Sequence, residues 1–256
     1  MLLEDKVAVI YGAGGAIGGA VARAFAREGA RLFVTGRGRG PVDALATEIG
    51  AEAATIDALD EEAIDKHLGY VAGRAGRIDI SFNAIGIPDQ TILGTPLLDM
   101  DAERYALPIS SYTTSYFLTA RLAARRMVTQ GSGVIMTVTA LPARAGVAGN
   151  GGYGPAMAAK EAMTRDLSAE FATRGVRVVS LRPHGMPETM TMRDVHETKM
   201  AQLPYEQFAA FLAGSTHPKR AMRLDDLAGV AAFAASDRAS GMTGTTVNLT
   251  MGALDD

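Results

Sequence analysis

A glycine-rich turn near the start of the chain has the composition of a phosphate-binding loop. It follows the apolar run Val7–Tyr11 and reads Tyr11-Gly12-Ala13-Gly14-Gly15-Ala16-Ile17-Gly18-Gly19. Glycines permit a tight turn that brings backbone N–H groups close to a pyrophosphate, and the positive end of a following helix favours the anion. Because the turn lies between a strand pattern and a helix pattern, it predicts a dinucleotide site. The predicted contacts in this turn are Gly12, Gly14, Ile17 and Gly18.

The residues after the second strand pattern indicate which dinucleotide to expect. The segment Thr35-Gly36-Arg37-Gly38-Arg39 ends the apolar run 31–35 and contains no carboxylate. An acid at this point would accept a hydrogen bond from the adenosine 2′-hydroxyl, whereas an arginine accommodates a 2′-phosphate. Arg37 can pair with that phosphate through its planar guanidinium. The sequence therefore predicts NADP(H) rather than NAD(H).

Seven short apolar runs alternate with longer amphipathic segments along the chain. The runs occupy residues 7–11, 31–35, 53–56, 78–82, 133–139, 176–181 and 245–249, and the clearest helical patterns occupy 110–128, 155–172 and 224–235. Such alternation is typical of parallel strands joined by right-handed crossovers, and apolar strands of this kind are covered on both faces. The sequence predicts an α/β fold in which residues 1–256 form a single Rossmann-type domain. Its doubly wound parallel sheet should have about seven strands, with helices on both faces.

Residues 187–217 interrupt this alternation. The segment is long and rich in methionine, and it contains Pro204. An insertion before the last helix is typical of a substrate lid, which is the interpretation we adopt. An adaptable apolar pocket is predicted from the methionines in and beside it. They are Met186, Met190, Met192 and Met200.

The composition excludes several classes of protein. The 256 residues include no cysteine, which rules out disulfides, thiolate catalysis and a zinc ribbon. No metal is predicted, because His196, Glu197 and His217 lack the ligand spacing of a zinc site. A net charge of −3 gives no electrostatic case for nucleic acid or an anionic membrane. Without a signal-peptide pattern or a membrane-spanning apolar stretch, the expected location is the cytoplasm.

These segments together resemble the short-chain dehydrogenase/reductase family over essentially the whole chain. The first motif of that family, Thr-Gly-x-x-x-Gly-x-Gly, has Tyr11 at its Thr and Ala16 at its middle Gly here. Three further segments are similar to the family's adenine-contacting Asp-Val, its Asn-Asn-Ala-Gly and its Pro-Gly beside the nicotinamide: Asp57-Ala58, Asn83-Ala84-Ile85-Gly86 and Arg182-Pro183-His184-Gly185. The resemblance implies cofactor contacts at Asp57, Ala58, Asn83, Ala84, Ile85, Pro183 and Met186.

The catalytic positions of the family are only partly retained. The family uses an Asn, a Ser, a Tyr and a Lys, the last two spaced Tyr-x-x-x-Lys on a helix. The resemblance aligns Tyr153 with the Tyr, and the Asn, Ser and Lys positions hold Tyr112, Ala140 and Met157. The family's Tyr is the general acid in reduction and the general base in oxidation. A free tyrosine has a pKa of about 10, so the loss of the lysine charge impairs oxidation more than reduction.

Three nearby residues bear on the missing groups. His184 is a candidate catalytic residue, because the family's Pro-Gly turn borders the nicotinamide and an imidazole titrates near neutral pH. Lys160 lies about 10 Å along the helix axis from Tyr153, and we expect it on the surface or in an interface. Tyr112 is expected to fill the space of the missing Asn.

The leading hypothesis is an NADP(H)-dependent oxidoreductase of short-chain dehydrogenase type that reduces an apolar carbonyl, imine or activated alkene. The alternative is a dinucleotide-binding scaffold without redox chemistry, either an isomerase, cyclase or lyase or a cofactor-sensing interaction protein. A third hypothesis, a Rossmann-like protein that binds no dinucleotide, would make the glycines and Arg37 coincidental. By analogy with the family, we expect a homodimer or homotetramer formed through the helices at 110–128 and 155–172.

Overall fold

The computed structural model of the chain describes residues 1–255, apart from the side chain of Asp89. The strands are β1 (Val7–Tyr11), β2 (Arg31–Gly36), β3 (Glu52–Thr55), β4 (Ile80–Asn83), β5 (Gly133–Val138), β6 (Val176–Pro183) and β7 (Thr245–Leu249). The α-helices are α1 (Ala16–Arg27), α2 (Arg39–Ile49), α3 (Glu61–Ala75), α4 (Ala102–Gln130), α5 (Tyr153–Phe171), α6 (Met190–Lys199), α7 (Tyr205–Gly214) and α8 (Leu224–Ala235).

The seven strands form one sheet in the order β3-β2-β1-β4-β5-β6-β7, and every neighbouring pair is parallel. The predicted doubly wound α/β fold is therefore confirmed. The strand order reverses between β1 and β4. In open sheets of this type the loops at the carboxyl ends of the strands form a crevice at that reversal, which is where ligands bind.

The two faces of the sheet carry separate hydrophobic cores. Along β1, Ala8 and Ile10 belong to the core that includes residues of α1 and α8. Val9 and Tyr11 point the other way, into the core that includes residues of α3, α4 and α5. Successive strand residues alternate between faces, so an apolar strand is buried on both sides.

Helix α4 begins well before its predicted start at residue 110. Asp101 caps the helix, and its carboxylate accepts a hydrogen bond from the Arg104 N–H at 2.7 Å. The predicted start at residue 110 was wrong because Pro108 lies inside α4, where it is buried. A proline interrupts most helical patterns in a sequence. A proline inside a helix removes one backbone hydrogen bond but does not end a helix that packing holds in place.

The segment 187–217 contains α6 and α7. Three of the four methionines in and beside this segment, Met186, Met190 and Met192, do not line one apolar pocket as predicted from the sequence. The Met186 side chain is buried in the core beside α8, whereas Met190 is 66% exposed. Met192 follows two residues after Met190 on α6, and its sulfur lies near Gly185. Residues two apart on a helix point about 200° apart, so the pair cannot line one surface.

Candidate functional site

The glycine-rich turn between β1 and α1 is too tightly packed for side chains at two positions. Gly12 has φ +78°, and a Cβ there would lie 2.5 Å from the Ala84 carbonyl oxygen. A Cβ at Gly18 would overlap the carbonyl of Gly12 itself. The contact at Gly12 brings the ends of β1 and β4 together at the crevice, and the contact at Gly18 closes the turn itself. Both close approaches require glycine.

The amino end of α1 is open to solvent and has free hydrogen-bonding capacity. Its N-cap is Gly15, which has no side chain, and the first turn contains no acid. The first N–H groups of a helix have no acceptor within the helix, so this end can bind an anion. A surface cavity of about 250 Å³ lies alongside, lined in part by Gly14, Pro41 and Arg23. Ala16, at the family's middle glycine, is exposed at the first helical position.

Two arginines follow β2, and they differ in their contacts. Arg39 forms an ion pair with Asp43 one turn along α2, with 2.9 Å between Nε and Oδ2. Arg37 is exposed, and within residues 1–255 it has no hydrogen bond or ion pair. Its guanidinium can therefore meet a phosphate without losing a protein partner.

The predicted adenine and nicotinamide contacts include side chains already engaged with the protein. Asp57 Oδ1 accepts a hydrogen bond from the Leu59 N–H at 3.0 Å. Asn83 is buried, and its Nδ2 donates to Thr119 Oγ1 at 3.0 Å while its Oδ1 accepts from the Ile85 N–H at 3.4 Å. Asn83 thus orients the turn at Ala84 and Ile85 through the hydrogen bond to the Ile85 N–H.

At the carboxyl end of β6, the two predicted contacts are also buried. Pro183 ends the strand. The Met186 side chain lies in the core, and its carbonyl accepts from the Thr189 hydroxyl at 2.8 Å. Contacts from Met186 to a cofactor would therefore have to come from its backbone.

Tyr153 is the first residue of α5 and packs directly on Tyr112 of α4. The two rings are T-shaped, with 5.8 Å between their centroids and 71° between their planes. Tyr112 is buried, and its hydroxyl oxygen accepts from the Ile87 N–H at 3.3 Å. Ala140 and Met157 belong to the same apolar cluster. Tyr112 fills space there, and it also keeps a hydroxyl beside the loop that follows β4.

A second glycine-rich turn positions Tyr153. A Cβ at Gly152 would overlap the Tyr105 carbonyl oxygen, and one at Gly154 would lie 3.0 Å from the Pro142 carbonyl oxygen. The Tyr153 N–H donates to the Asn150 carbonyl at 3.0 Å. The start of α5 is therefore held against the start of α4.

Lys160 is not a surface or interface lysine, contrary to the expectation from sequence. It is 1% exposed, and its Nζ donates to the Val138 carbonyl at 2.7 Å. Nζ also lies 5.6 Å and 5.7 Å from the ring centroids of Tyr112 and Tyr116. Burial lowers the pKa of Lys160 to about 7. Seven residues make nearly two turns, so Lys160 shares the face of Tyr153, and that face is covered by α4 and β5.

Beside Lys160 lies a buried ion pair that sequence reasoning missed. Arg182 Nε donates to Glu161 Oε1 at 2.7 Å and its Nη2 donates to Oε2 at 2.9 Å, with both side chains at most 3% exposed. The Thr139 hydroxyl donates to the same carboxylate at 3.1 Å. Thr139, Glu161 and Arg182 thus link the end of β5 to α5 and β6. The Thr139 hydroxyl, one residue before Ala140, is already engaged by this ion pair. The sequence does not indicate that an acid on a helix pairs with an arginine on a strand, because only the fold brings the two side chains together.

His184 faces the segment 187–217. Its Nε2 lies 3.0 Å from the Ser215 hydroxyl, and its Nδ1 lies 3.4 Å from the Gly185 carbonyl oxygen. None of its hydrogen bonds within residues 1–255 involves Tyr153. Burial lowers the pKa of His184, so the neutral ring is favoured. These contacts join the end of β6 to the end of α7.

Among the side chains that the structure describes, no group of three or more histidines and acids is arranged to hold a metal ion. Over the same residues, no helix combines the length and the apolar character needed to cross a bilayer.

Comparison with known proteins gives consistent matches along the chain. Residues 12–253 match the family model described as enoyl-(acyl carrier protein) reductase. The 3-oxoacyl-[acyl-carrier-protein] reductase FabG of Escherichia coli (strain K12) is 27% identical over 98% of both chains. An uncharacterized oxidoreductase of Mycobacterium tuberculosis (strain CDC 1551 / Oshkosh) is 30% identical, covering 96% of this chain and 91% of its own. A crystal structure of NAD⁺-bound xylitol dehydrogenase superposes with a TM-score of 0.87 at 26% identity, covering 97% of this chain and 99% of the other.

Proposed function

Because the chain belongs to the short-chain dehydrogenase/reductase family of nicotinamide-dependent oxidoreductases, we propose that it is an NADP(H)-dependent reductase of an apolar carbonyl, imine or activated alkene. One observation carries the proposal. A tyrosine in the catalytic position of the family, Tyr153, packs on Tyr112, and Tyr112 lies over the buried ammonium of Lys160. This arrangement supplies a proton donor and a cation although two of the family's polar positions hold Ala140 and Met157.

The cofactor part of the proposal rests on the turn after β1 and on Arg37. Gly12 and Gly18 allow close backbone approach, and the uncapped start of α1 would hold the pyrophosphate. Arg37 would hold the 2′-phosphate, because it is exposed and has no partner within residues 1–255. The solved xylitol dehydrogenase contains NAD⁺, so the preference for NADP(H) depends on Arg37 in this chain.

In the proposed reaction, Tyr153 is the general acid. When bound, the reduced nicotinamide supplies the hydride. The Tyr153 hydroxyl donates the proton that completes the reduced product, and it regains a proton from water. Tyr153 is half-buried, so its hydroxyl can meet substrate while its ring remains fixed against Tyr112.

Lys160 would support this step from behind Tyr112. Burial lowers the pKa of Lys160 to about 7, so its ammonium form is far less favoured than that of an exposed lysine and still accessible near neutral pH. An ammonium on the face of an aromatic ring is held by electrostatic attraction, and the same charge stabilises an oxyanion that develops nearby. We assign Lys160 as a positioning residue. Its positive charge would lower the free energy of a negative charge that develops on Tyr112 or Tyr153.

The non-redox scaffold is the second candidate. One observation favours it, namely that Ala140 and Met157 lie in an apolar cluster and contribute no hydrogen-bonding side chain. A protein that binds the dinucleotide without turnover would fit such a site.

The deciding experiment titrates the purified protein with NADPH and NADH, followed by nucleotide fluorescence. The same sample is then assayed for NADPH oxidation with a panel of apolar ketones, imines and enones. Preferential NADPH binding with oxidation by a panel member supports the reductase. Binding without any oxidation favours the scaffold, and failure of both nucleotides to bind would refute both candidates.

A further inference from the structure

Three segments that follow neighbouring strands meet beside Tyr153. The loop after β4 contributes Gly94, the loop after β5 contributes Gly149 and Asn150, and α6 follows β6. The Gly94 N–H donates to the Gly149 carbonyl at 2.9 Å, and the Thr198 side chain covers Gly94. Because carboxyl ends of parallel strands share one edge of the sheet, this meeting point lies at the edge that contains the crevice.

Lys199, the last residue of α6, reaches across this point. Its Nζ donates to Asn150 Oδ1 at 2.5 Å, and its Cε would be 3.5 Å from a Cβ at Gly149. The Asn150 carbonyl accepts the Tyr153 N–H, so the lysine head group contacts the turn from which α5 begins.

The environment of the Lys199 ammonium differs from that of an exposed, ion-paired lysine. The side chain is half-buried, and burial lowers its pKa. Within the described residues no carboxylate lies within 4 Å of its ammonium, whereas Lys6 is paired with Asp237. A partly desolvated ammonium whose protein partner is a neutral amide retains unused donor capacity. Asn150 Nδ2 also has no partner among those residues.

We propose that Lys199 and Asn150 bind an anionic group of the substrate, so that the preferred substrate of the reductase is apolar around its reacting carbonyl and bears a carboxylate at its other end. Two neighbouring donors, one of them charged, match the two oxygens of a carboxylate. The apolar cluster around Tyr153 would then contact the reacting part of the molecule, and the donors at the end of α6 would contact its acidic end. This inference rests on the proposed reductase function.

The test compares keto acids with their own methyl esters, because esterification removes the negative charge and leaves the keto group and its carbon chain unchanged. Acetoacetate and levulinate are measured against methyl acetoacetate and methyl levulinate as substrates for NADPH oxidation. The wild-type protein should favour the acids in kcat/KM by at least about tenfold. Lys199→Met should bring the acid-to-ester ratio near one, mainly because KM for the acids rises. Lys199→Arg should restore part of the preference.

The matched control is Lys66→Met. Lys66 is exposed on α3, so this substitution removes the same positive charge at a site far from Lys199 in the sequence. It should leave the ratio at the wild-type value. An unchanged ratio in Lys199→Met, or a wild-type preference for the esters, would overturn the proposal.

A binding measurement separates this inference from the proposed function. Calorimetry with NADP⁺ present reports whether the two acids bind even if no NADPH is oxidised. Binding of the acids that is lost in Lys199→Met, together with no oxidation of NADPH by any substrate tested, supports the anion site and favours the non-redox scaffold over the reductase. Failure of both acids to bind the wild-type protein refutes the anion site, whatever turnover is found with other carbonyl compounds.

Discussion

The rings of Tyr153 and Tyr112 meet in a T-shaped contact with 5.8 Å between their centroids. T-shaped contacts are favourable because the electropositive edge of one ring meets the electronegative face of another. The contact restricts Tyr153 at the first position of α5, where a helix end would otherwise fray. Tyr112, at the position that the resemblance aligns with the family's Asn, thus orients Tyr153, the proposed proton donor.

Replacing Tyr153 by Phe tests the proton donor. We expect kcat to fall by about 100-fold or more, because general acids contribute roughly that much, while the Kd for NADPH stays unchanged. Steady-state kinetics and fluorescence titration measure the two quantities. Tyr70→Phe is the control, because Tyr70 is exposed on α3 and bonds to Glu52. Undiminished turnover in Tyr153→Phe would remove its role as an acid.

Replacing Arg37 by Gln tests cofactor choice. The affinity for NADPH should fall about tenfold or more, because a charge-assisted contact to the 2′-phosphate is lost, whereas NADH affinity should hardly change. Arg39→Gln is the matched control, since Arg39 is paired with Asp43. Equal losses for both nucleotides, or none, would argue against Arg37 as the phosphate ligand.

The buried ammonium of Lys160 predicts a specific dependence of stability on pH. Its pKa is lowered from 10.5 to about 7 in the folded chain, so folding expels a proton between these values. The contribution of Lys160 is therefore most favourable above about pH 10.5 and is lost as pH falls towards 7. Relative to Lys160→Met, the wild-type protein should gain stability from pH 7 to 10, with an upper slope of about 1.4 kcal/mol per pH unit.

Urea unfolding at several pH values measures this difference. Lys66→Met supplies the baseline, because an exposed lysine should produce no such trend. A difference between wild type and Lys160→Met that is constant with pH would mean that Lys160 folds with an unshifted pKa.

Tyr11 offers a test of stability that is independent of function. Its hydroxyl is buried and has no hydrogen-bond partner in the part of the chain that the structure describes, at a position where the family has a Thr. A buried hydroxyl without a partner costs about 1–3 kcal/mol, so Tyr11→Phe should raise the free energy of unfolding. Tyr116→Phe is the matched comparison, because Tyr116 bonds to Thr164 at 3.0 Å and should lose stability instead. Denaturant unfolding of both variants measures whether the free energy of unfolding rises in Tyr11→Phe and falls in Tyr116→Phe.

The turn before Tyr153 should not tolerate a methyl group at Gly152. In Gly152→Ala the new Cβ would overlap the Tyr105 carbonyl, which is backbone and cannot turn aside. We expect a loss of about 1–3 kcal/mol in stability, together with lower turnover because Tyr153 is displaced. Gly146→Ala, in the same loop with nothing within 4 Å of its Cβ, should change neither. Thermal unfolding and kinetics compare the two.

Much of the candidate site was accessible to sequence reasoning because it depends on local chemistry. The turn at Gly12 to Gly18 follows a strand and opens a helix, and the structure has both elements there. Arg37 follows β2 as expected. The surroundings of Lys160 were not accessible, since α5 is covered by the sheet on one side and by α4 on another, so its hydrophobic pattern does not identify a solvent face. The start of α4 was missed because Pro108 weakens the helical pattern that packing preserves.

The sequence by itself determined the alternation of strands and helices, the parallel sheet and the place of the glycine-rich turn after β1. These follow from short-range periodicity and from residues whose backbone preferences are local. Only the tertiary structure decided that Lys160 lies under Tyr112, that Glu161 pairs with Arg182, and that Lys199 meets Asn150. Each of these contacts joins side chains from different elements. Their distances depend on how helices pack on the sheet, which local sequence patterns do not encode.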